Sequence, residues 1–243
     1  MKRVGILGGL GPLAGAYFYL RLCELTPAQS DEEHLSVVLE ADTKIPSRLN
    51  YLRNEGPSPV EALLRAGQRL INAGAEFISM PSSTTSYFHG ALQEHLSVPL
   101  LSLVDEVGEA LRRDGCDHIG ILGTTPTRTY RIYEQALERR DINVIYPDDQ
   151  SQQDTMDIIL QVKGQASPES RRGTLAERLR SIMDRPWAQN TDGVLLACTE
   201  LPVAARSLDE KTHGRPVFSA TDILARATIV FAMSGHAPAN QSK

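Results

Sequence analysis

The sequence predicts an α/β protein made of two similar halves, each with a parallel β-sheet covered by helices. Two observations predict this fold class. Short apolar, β-prone runs alternate with amphipathic stretches along the 243-residue chain, a pattern typical of parallel sheets with helices on both faces. Short segments of the first half also recur, in the same order, about 115 residues later.

The first half repeats a strand, loop and helix unit. Val4–Leu7 is predicted as a strand that ends in the cluster Gly8-Gly9-Leu10-Gly11-Pro12, and an amphipathic helix follows from 13 to about 25. Further strands are predicted at 35–39 and 77–80, with helices over about 59–73 and 84–96. In the second half, strands are predicted at 119–122, 143–146, 194–197 and 217–218.

The repeat defines the predicted domain organisation. Gly5-Ile6-Leu7-Gly8 recurs as Gly120-Ile121-Leu122-Gly123, residues 78–83 align with 194–199, and residues 99–105 align with 216–222. The offset stays between 115 and 117 residues. We therefore predict α/β subdomains at 1–115 and 116–225, related by an approximate two-fold axis. We expect the last helix, about 220–233, to pack on the first subdomain and residues 234–243 to form a flexible tail.

The repeat also pairs two residues that could carry chemistry. Ser82 and Cys198 occupy equivalent positions, each just after a predicted strand. Ligands of such proteins bind outside the carboxyl ends of the strands. We therefore expect Ser82 and Cys198 to face each other across a crevice between the halves. There, one side chain could remove a proton from a carbon while the other delivers a proton to the opposite face.

Cys198 is the cysteine best placed for catalysis. It lies at the start of a predicted helix, where backbone N–H groups and the helix dipole are expected to lower the thiol pKa from about 8.5 toward neutrality. Cys23 and Cys116 are expected to be core thiols. Three cysteines in a long chain cannot form a disulfide framework and suit a reducing compartment, which predicts a cytoplasmic protein.

Hydroxyl groups and two cations are candidates for binding a carboxylate. Five consecutive hydroxyl residues, 82–86, follow a predicted strand. A carboxylate or phosphate could be bound there at a helix N-terminus, whereas helix capping alone needs only one such residue. Arg48 and Lys163 lie in or beside predicted loops, where Arg48 could bind a carboxylate as a bidentate fork and Lys163 as a point charge. The alternative for both cations is a solvated surface position.

The glycine cluster also matches the dinucleotide fingerprint G-x-G-x-x-A, from Gly9 to Ala14. The expected acidic partner, Glu40, lies 29 residues after Gly11 rather than about 20. The equivalent loop at 123–127 lacks these glycines. We therefore expect no nicotinamide cofactor.

Charge and composition exclude several partners. The net charge is −5 and no run of Lys or Arg exceeds two residues, so a nucleic-acid partner is not expected. The histidines show no spacing typical of a metal site. The basic residues at the N-terminus and the uncharged stretch 4–20 that follows them are similar to a secretory signal peptide. Five glycines and Pro12 within that stretch disfavour the helix that such a signal peptide forms. No other apolar stretch approaches the roughly 20 residues of a membrane span.

Taken together, these motifs resemble the aspartate/glutamate racemase superfamily. The resemblance covers nearly the whole chain and rests on motifs that occur in the family's order: Gly8-Gly-Leu-Gly-Pro12, Lys44-Ile-Pro-Ser-Arg48, Met80-Pro-Ser-Ser-Thr84, Gly123-Thr124, Lys163-Gly164 and Ala197-Cys-Thr-Glu-Leu-Pro202. It implies two α/β subdomains with the active site between them, catalysis without pyridoxal phosphate or any other cofactor, and a homodimer.

The resemblance also implies roles for individual residues. Cys198 corresponds to the second catalytic cysteine, and Ser82 stands where the first belongs. Arg48 and Lys163 are implied to recognise an acidic side chain. The remaining substrate-binding positions that it implies are Leu10, Ser83, Thr84, Thr124 and Thr199.

Ser82 has a consequence for the rate. The family's first motif reads Met-Pro-Cys-Asn-Thr-Ala-His, whereas residues 80–86 read Met-Pro-Ser-Ser-Thr-Thr-Ser. A serine hydroxyl is a weaker acid than a thiol by several pKa units, and four units correspond to more than about 5 kcal/mol. Racemisation with two bases is therefore expected to be slow.

The predicted function is proton transfer at the α-carbon of a small, acidic carboxylate substrate by a cofactor-independent amino-acid racemase or epimerase. One alternative is a reaction that uses Cys198 alone, such as decarboxylation or isomerisation, as in the related arylmalonate decarboxylases. The other is a weakly active or inactive homologue that binds an amino acid or dicarboxylate.

Overall fold

The computed structural model describes residues 1–164, 172–206, 211–212 and 214–234. The chain divides into two units, one formed by Met1–Leu103 together with the segment that starts at Leu224, and the other by Val104–Ile223. Both units are α/β with a parallel sheet, which confirms the predicted fold class. The predicted tail lies outside the described residues beyond Ser234.

The first unit holds a four-stranded parallel sheet in the order β2-β1-β3-β4. Its strands are β1 (Val4–Leu7), β2 (Val37–Glu40), β3 (Phe77–Ser79) and β4 (Leu100–Leu101). Its helices are α1 (Pro12–Leu25), α2 (Arg48–Leu52), α3 (Val60–Asn72) and α4 (His89–Gln93), with 3-10 turns at Asp31–Glu33 and Thr84–Phe88.

The second sheet has the order β6-β5-β7-β9-β8. Its strands are β5 (His118–Leu122), β6 (Asn143–Ile145), β7 (Gly193–Leu196), β8 (Lys211–Thr212) and β9 (Arg215–Ser219). The helices are α5 (Leu103–Arg113), α6 (Thr125–Thr129), α7 (Glu134–Glu138), α8 (Asp149–Gly164), α9 (Arg172–Met183), α10 (Glu200–Ala204) and α11 (Ala220–Ser234), with a 3-10 turn at Pro186–Ala188. Only β8, which the sequence did not predict, runs antiparallel among these described strands.

The central strands explain the apolar runs in the sequence. All residues of β1 and β7 are buried, as expected for strands covered on both faces. The repeated glycines mark close packing at the same place in each sheet. A Cβ at Gly5 would lie 2.9 Å from the Cβ of Ala75, and one at Gly120 would lie 2.9 Å from the Trp187 ring.

Two helical assignments differ from the sequence prediction. The helix predicted over 84–96 is divided into the 3-10 turn Thr84–Phe88 and the short α4. Helix α5 groups from Val104 onward with the second unit, whereas the predicted boundary at 115 placed it in the first. Ion pairs of Arg139 and Arg140 with Asp105 and of Arg140 with Glu109 hold it there.

The C-terminal part of α11 packs on the first sheet. The Oγ of Ser79 and Oγ1 of Thr228 lie 2.7 Å apart, both fully buried. The rings of Phe77 and Phe231 are 4.6 Å apart, and Lys2 N donates to Ala232 O at 2.9 Å. Within the described ranges, no helix combines the length and apolar character needed to cross a membrane.

Candidate active site

The glycine loop after β1 is built against the segment after β2. Gly8 N donates to the carbonyl of Glu40 at 2.8 Å. Gly9 has φ 75°, and a Cβ there would lie 2.5 Å from the carbonyl oxygen of Asp42. Any side chain at residue 9 would both strain the backbone and clash with Asp42. The glycines therefore allow the two backbone segments to pack closely at the carboxyl ends of β1 and β2.

Arg48 and Leu10, two of the predicted binding residues, are in direct contact. Nη2 of Arg48 donates to the carbonyl of Leu10 at 2.7 Å. Arg48 is the first residue of α2, which begins there because Ser47 Oγ accepts from Asn50 N at 3.2 Å. The guanidinium is thereby fixed beside the glycine loop, and the side chain is half-buried rather than fully solvated.

Ser82, Ser83 and Thr84 follow β3, the strand next to β1 in the first sheet. The Oγ of Ser82 lies 2.7 Å from Oγ1 of Thr85, which is fully buried. Ser82 also accepts at its carbonyl from Ser86 N at 3.2 Å. Some hydroxyls of residues 82–86 therefore form hydrogen bonds with one another at the 3-10 turn. Ser82 and Thr84 remain partly accessible to solvent.

Thr124 follows β5 in the second unit and caps α6. Its Oγ1 accepts from Thr127 N at 3.3 Å and lies 2.9 Å from Thr127 Oγ1. The preceding residue, Gly123, accepts at its carbonyl from Nε2 of Gln152 at 3.0 Å. The side chain of Thr124 thus has a structural role at the end of β5, in addition to the binding role that the resemblance implies.

Cys198 follows β7, and its thiol is bound to a buried carboxylate. Its Sγ donates to Oε2 of Glu200 at 2.9 Å. Nζ of Lys163, near the end of α8, lies 2.6 Å from Oε1 of the same carboxylate. Thr199 Oγ1 donates to Glu200 Oε2 at 3.3 Å. Three predicted site residues, Cys198, Thr199 and Lys163, are therefore brought together through Glu200.

These surroundings overturn the expected pKa of Cys198. Burial and the negative charge of Glu200 raise the thiol pKa well above its ordinary value, and Lys163 opposes them only in part. Helix α10 is five residues long, so its dipole is small compared with a carboxylate in direct contact. The prediction of a thiol pKa lowered toward neutrality was wrong, and Cys198 rests as a thiol.

Glu200 is the functional candidate that the sequence interpretation missed as a site residue. Its side chain is 3% exposed and its carboxylate contacts both Cys198 and Lys163. A buried carboxylate is costly unless it is paired, which explains the contact with Lys163. The signal available in the sequence was a glutamate two residues after the cysteine in Cys-Thr-Glu.

The other two cysteines have no comparable surroundings. Cys116 is buried, and desolvation raises its pKa to about 11, as expected for an inert core thiol. Cys23 is half-buried and, like the other two, free of disulfides. In the part of the chain that the structure describes, no group of three or more His, Cys, Asp or Glu side chains could hold a metal ion.

Comparison with known proteins identifies the class. The family described as "Asp/Glu/Hydantoin racemase" matches residues 7–228, and the chain belongs to this family. Its function is therefore of the racemase type, within the isomerases.

Three relatives illustrate the similarity. The broad specificity amino-acid racemase RacX of Bacillus subtilis is 25% identical over 231 residues, which cover 93% of this chain and 96% of RacX. The structure of Picrophilus torridus aspartate racemase has a TM-score of 0.82 at 30% identity, covering 96% of this chain and 94% of that one. An aspartate racemase homologue from Pyrococcus horikoshii OT3 has a TM-score of 0.76 at 24% identity, covering 96% and 99%, and supports the fold alone.

Proposed function

We propose that the protein is a cofactor-independent racemase or epimerase that moves the α-proton of a small, acidic amino acid. The observation that carries the proposal is the contact of Cys198 with Glu200, 2.9 Å between Sγ and Oε2. It provides a proton donor and a proton acceptor next to each other at the carboxyl end of a central strand, where ligands of α/β proteins bind.

The pair suits proton transfer at carbon. As a thiol, Cys198 donates its proton to a carbanion, and the resulting thiolate is a strong base because burial and Glu200 raise the thiol pKa. A base of high pKa is better matched to a weakly acidic α-proton than an ordinary thiolate. Glu200 accepts the thiol proton when Cys198 must act as the base, so both steps use the same two side chains.

Ser82 is proposed as the second proton carrier. It occupies the position equivalent to Cys198 in the repeat, and its Oγ has Oγ1 of Thr85 as a hydrogen-bond partner at 2.7 Å. A hydroxyl is a poor base near neutral pH, since its pKa lies far above that of a thiol. Turnover is therefore expected to be limited by the Ser82 side.

Arg48 and Lys163 are proposed to bind the carboxylates of the substrate. The contact of Arg48 with the Leu10 carbonyl supports a fixed guanidinium beside the glycine loop. Lys163 supplies a second cation, 40% exposed, near Cys198 through Glu200. The other proposed pocket residues are Leu10, Ser83, Thr84, Thr124 and Thr199.

A homodimer is proposed as the assembly. Helix α1 carries three exposed apolar side chains. Leu13 (37% exposed) and Leu20 (38%) are seven residues apart and therefore share a face, and Tyr19 (45%) lies about 100° around the helix from Leu20. Exposed apolar groups that cluster on one helix are typical of interaction surfaces. Light scattering of the wild type and Leu20→Glu tests the dimer.

Three cysteines without disulfides support the proposed cytoplasmic location.

The alternatives receive less support. The Bacillus subtilis relative and the Picrophilus torridus structure are both named as racemases, which favours racemisation over a one-sided decarboxylation. A homologue that only binds its ligand would retain affinity for amino acids without exchanging their α-protons.

The test is the interconversion of L- and D-aspartate and L- and D-glutamate, followed by chiral chromatography. The protein is first dialysed against EDTA and treated with hydroxylamine, which traps carbonyl cofactors. We expect slow racemisation of at least one pair that survives this treatment and is lost in Cys198→Ala. Binding of these amino acids without racemisation at high protein concentration would contradict the proposal and favour a binding protein.

A further inference from the structure

Arg69 connects helix α3 to the carboxyl end of β2. It lies in the last turn of α3, and its Nη2 is 2.9 Å from Oε1 of Glu40 and 2.8 Å from Oδ2 of Asp42. Glu40 is the last residue of β2, and Asp42 follows two residues later. One guanidinium nitrogen therefore holds together two carboxylates that would otherwise repel each other. The dinucleotide fingerprint would assign Glu40 to a ribose, but in the structure its carboxylate binds this cation.

The other oxygen of the Asp42 carboxylate fixes the chain that leads to α2. Oδ1 of Asp42 accepts from Lys44 N at 2.8 Å, and this hydrogen bond is the largest cause of the lowered pKa of Asp42. Arg69 lowers the same pKa further. Asp42 is therefore charged near neutral pH, and its two oxygens connect α3 to the backbone of residues 42–44.

The backbone of Glu40 and Asp42 also supports the glycine loop. Gly8 N donates to the carbonyl of Glu40 at 2.8 Å, and a Cβ at Gly9 would lie 2.5 Å from the carbonyl oxygen of Asp42. At this packing density, one segment cannot shift without moving the other. A displacement of Asp42 is therefore also a displacement of the glycine loop.

Arg48 bridges the same two segments. Its Nη2 donates to the Leu10 carbonyl in the glycine loop at 2.7 Å, and its Nη1 donates to the Pro46 carbonyl at 3.5 Å. The orientation of the guanidinium therefore depends on the separation between the glycine loop and the segment before α2. A bidentate contact with a carboxylate requires that orientation, because two N–H groups must point at the ligand together.

We propose that Arg69 is a positioning residue for substrate binding, which holds Glu40 and Asp42 and thereby keeps the glycine loop and the segment before α2 in the arrangement that orients Arg48. The inference rests on the proposed function, in which Arg48 binds a carboxylate of the substrate. Arg69 is 45% exposed, and an exposed ion pair contributes little to global stability. Its effect is therefore expected on substrate affinity, and not on the folding of the chain or on the chemistry of Cys198 in the other unit.

The experiment compares Arg69→Met with Arg65→Met in the racemisation of aspartate, followed by chiral chromatography. Arg65 lies one turn earlier on α3 and pairs with Glu61. Its substitution removes a cation from the same helix but leaves both carboxylates with Arg69. In Arg69→Met we expect KM to rise about five-fold while kcat stays within about two-fold of the wild type. Arg69→Lys should have an intermediate KM, and Arg65→Met the wild-type KM.

A double-mutant cycle tests whether Arg69 acts through Asp42. Asparagine at residue 42 keeps an acceptor for Lys44 N but loses the charge that Arg69 binds. Asp42→Asn should therefore raise KM by a similar factor, and the double variant should be no worse than the more affected single variant. Because Asp42→Asn breaks the contact from its other end, it also tests the proposal if Arg69→Met does not fold.

Three kinetic results would overturn the proposal. These are an unchanged KM in both Arg69→Met and Asp42→Asn, an equal rise in Arg69→Met and Arg65→Met, which would indicate a general attraction of the acidic substrate, and factors that multiply in the double variant. If the wild type does not racemise aspartate, the proposed function fails, and calorimetry of aspartate binding then tests Arg69. Weaker binding by Arg69→Met than by Arg65→Met would support its role, whereas equal binding, or no binding by the wild type, would contradict it.

Discussion

The thiol of Cys198 donates a hydrogen bond to the carboxylate of Glu200 across 2.9 Å, and Glu200 is itself 3% exposed. Burial, together with this carboxylate two residues along the chain, therefore keeps the cysteine at the end of the strand protonated. This relationship makes Cys198 a proton donor at rest, and a strong base once Glu200 has accepted its proton. It also accounts for the position of Lys163, which compensates the buried charge.

The substitution Glu200→Gln should separate thiol reactivity from catalysis. Removal of the carboxylate removes one cause of the raised pKa of Cys198, so alkylation by iodoacetamide at a fixed, mildly alkaline pH should become faster. Loss of the proton acceptor should reduce α-proton exchange by about 100-fold or more. Glu138→Gln, at an exposed glutamate paired with Arg131, should change neither rate. Slower alkylation of Glu200→Gln would contradict this account.

The stability of the fold should depend on pH through Cys198. Because its pKa is raised in the folded protein, the unfolded chain releases this proton first. The contribution of Cys198 to stability is therefore fully present below the unfolded thiol pKa, about 8.5, and is lost as pH rises above it. Urea unfolding of the wild type and Cys198→Ser at pH 7 and pH 9.5 measures this difference.

We expect the stability of the wild type, relative to Cys198→Ser, to decrease between pH 7 and pH 9.5. An increase in the same interval would mean that the folded protein favours the thiolate, and the proposed resting state would be wrong.

The substitution Gly9→Ala should weaken substrate binding through the glycine loop. An alanine there would need φ near 75° and would place its Cβ 2.5 Å from the Asp42 carbonyl. We expect a loss of about 2 kcal/mol or more in unfolding free energy and a higher KM, because the Leu10 carbonyl and Arg48 are attached to this loop. Gly90→Ala, where a Cβ meets nothing within 4 Å, is the matched control and should be neutral or slightly stabilising.

The sequence interpretation succeeded where local pattern determines structure. Strands such as Val4–Leu7 are buried on both faces, and their continuous apolar character marks them clearly. The two-residue β8 and the 3-10 turn at Thr84–Phe88 were missed. In these short segments, the pairing of β8 with β9 and the hydroxyl contacts of Ser82 have more influence than periodicity.

The surroundings of Cys198 could be predicted from the sequence only in part. Position and motif predict Cys198 and Lys163 as site residues, and the spacing in Cys-Thr-Glu places a glutamate near the thiol, but nothing in the sequence indicates that Glu200 also contacts Lys163. Lys163 lies 37 residues before Glu200, and their contact depends on the packing of α8 against α10. The pKa of Cys198 follows from burial and from that side-chain arrangement, so a rule based on the helix dipole gave the wrong sign.

The substitution Ser82→Cys should raise the rate of racemisation. A thiol ionises several pKa units lower than a hydroxyl, so the second proton carrier would become competent near neutral pH. We expect an increase of about ten-fold or more in kcat, measured by chiral chromatography, whereas Ser82→Ala should lower kcat. An unchanged rate in both variants would mean that Ser82 does not carry the limiting proton transfer.

The most direct test of the central claim is proton NMR of L-aspartate in D₂O with the wild type and with Cys198→Ala. We predict that the wild type replaces the α-proton with deuterium while D-aspartate accumulates, and that Cys198→Ala does neither. Deuterium exchange that persists in Cys198→Ala would show that another group acts at the α-carbon. Absence of exchange with the wild type, despite bound aspartate, would contradict the assignment of this site as a racemase centre.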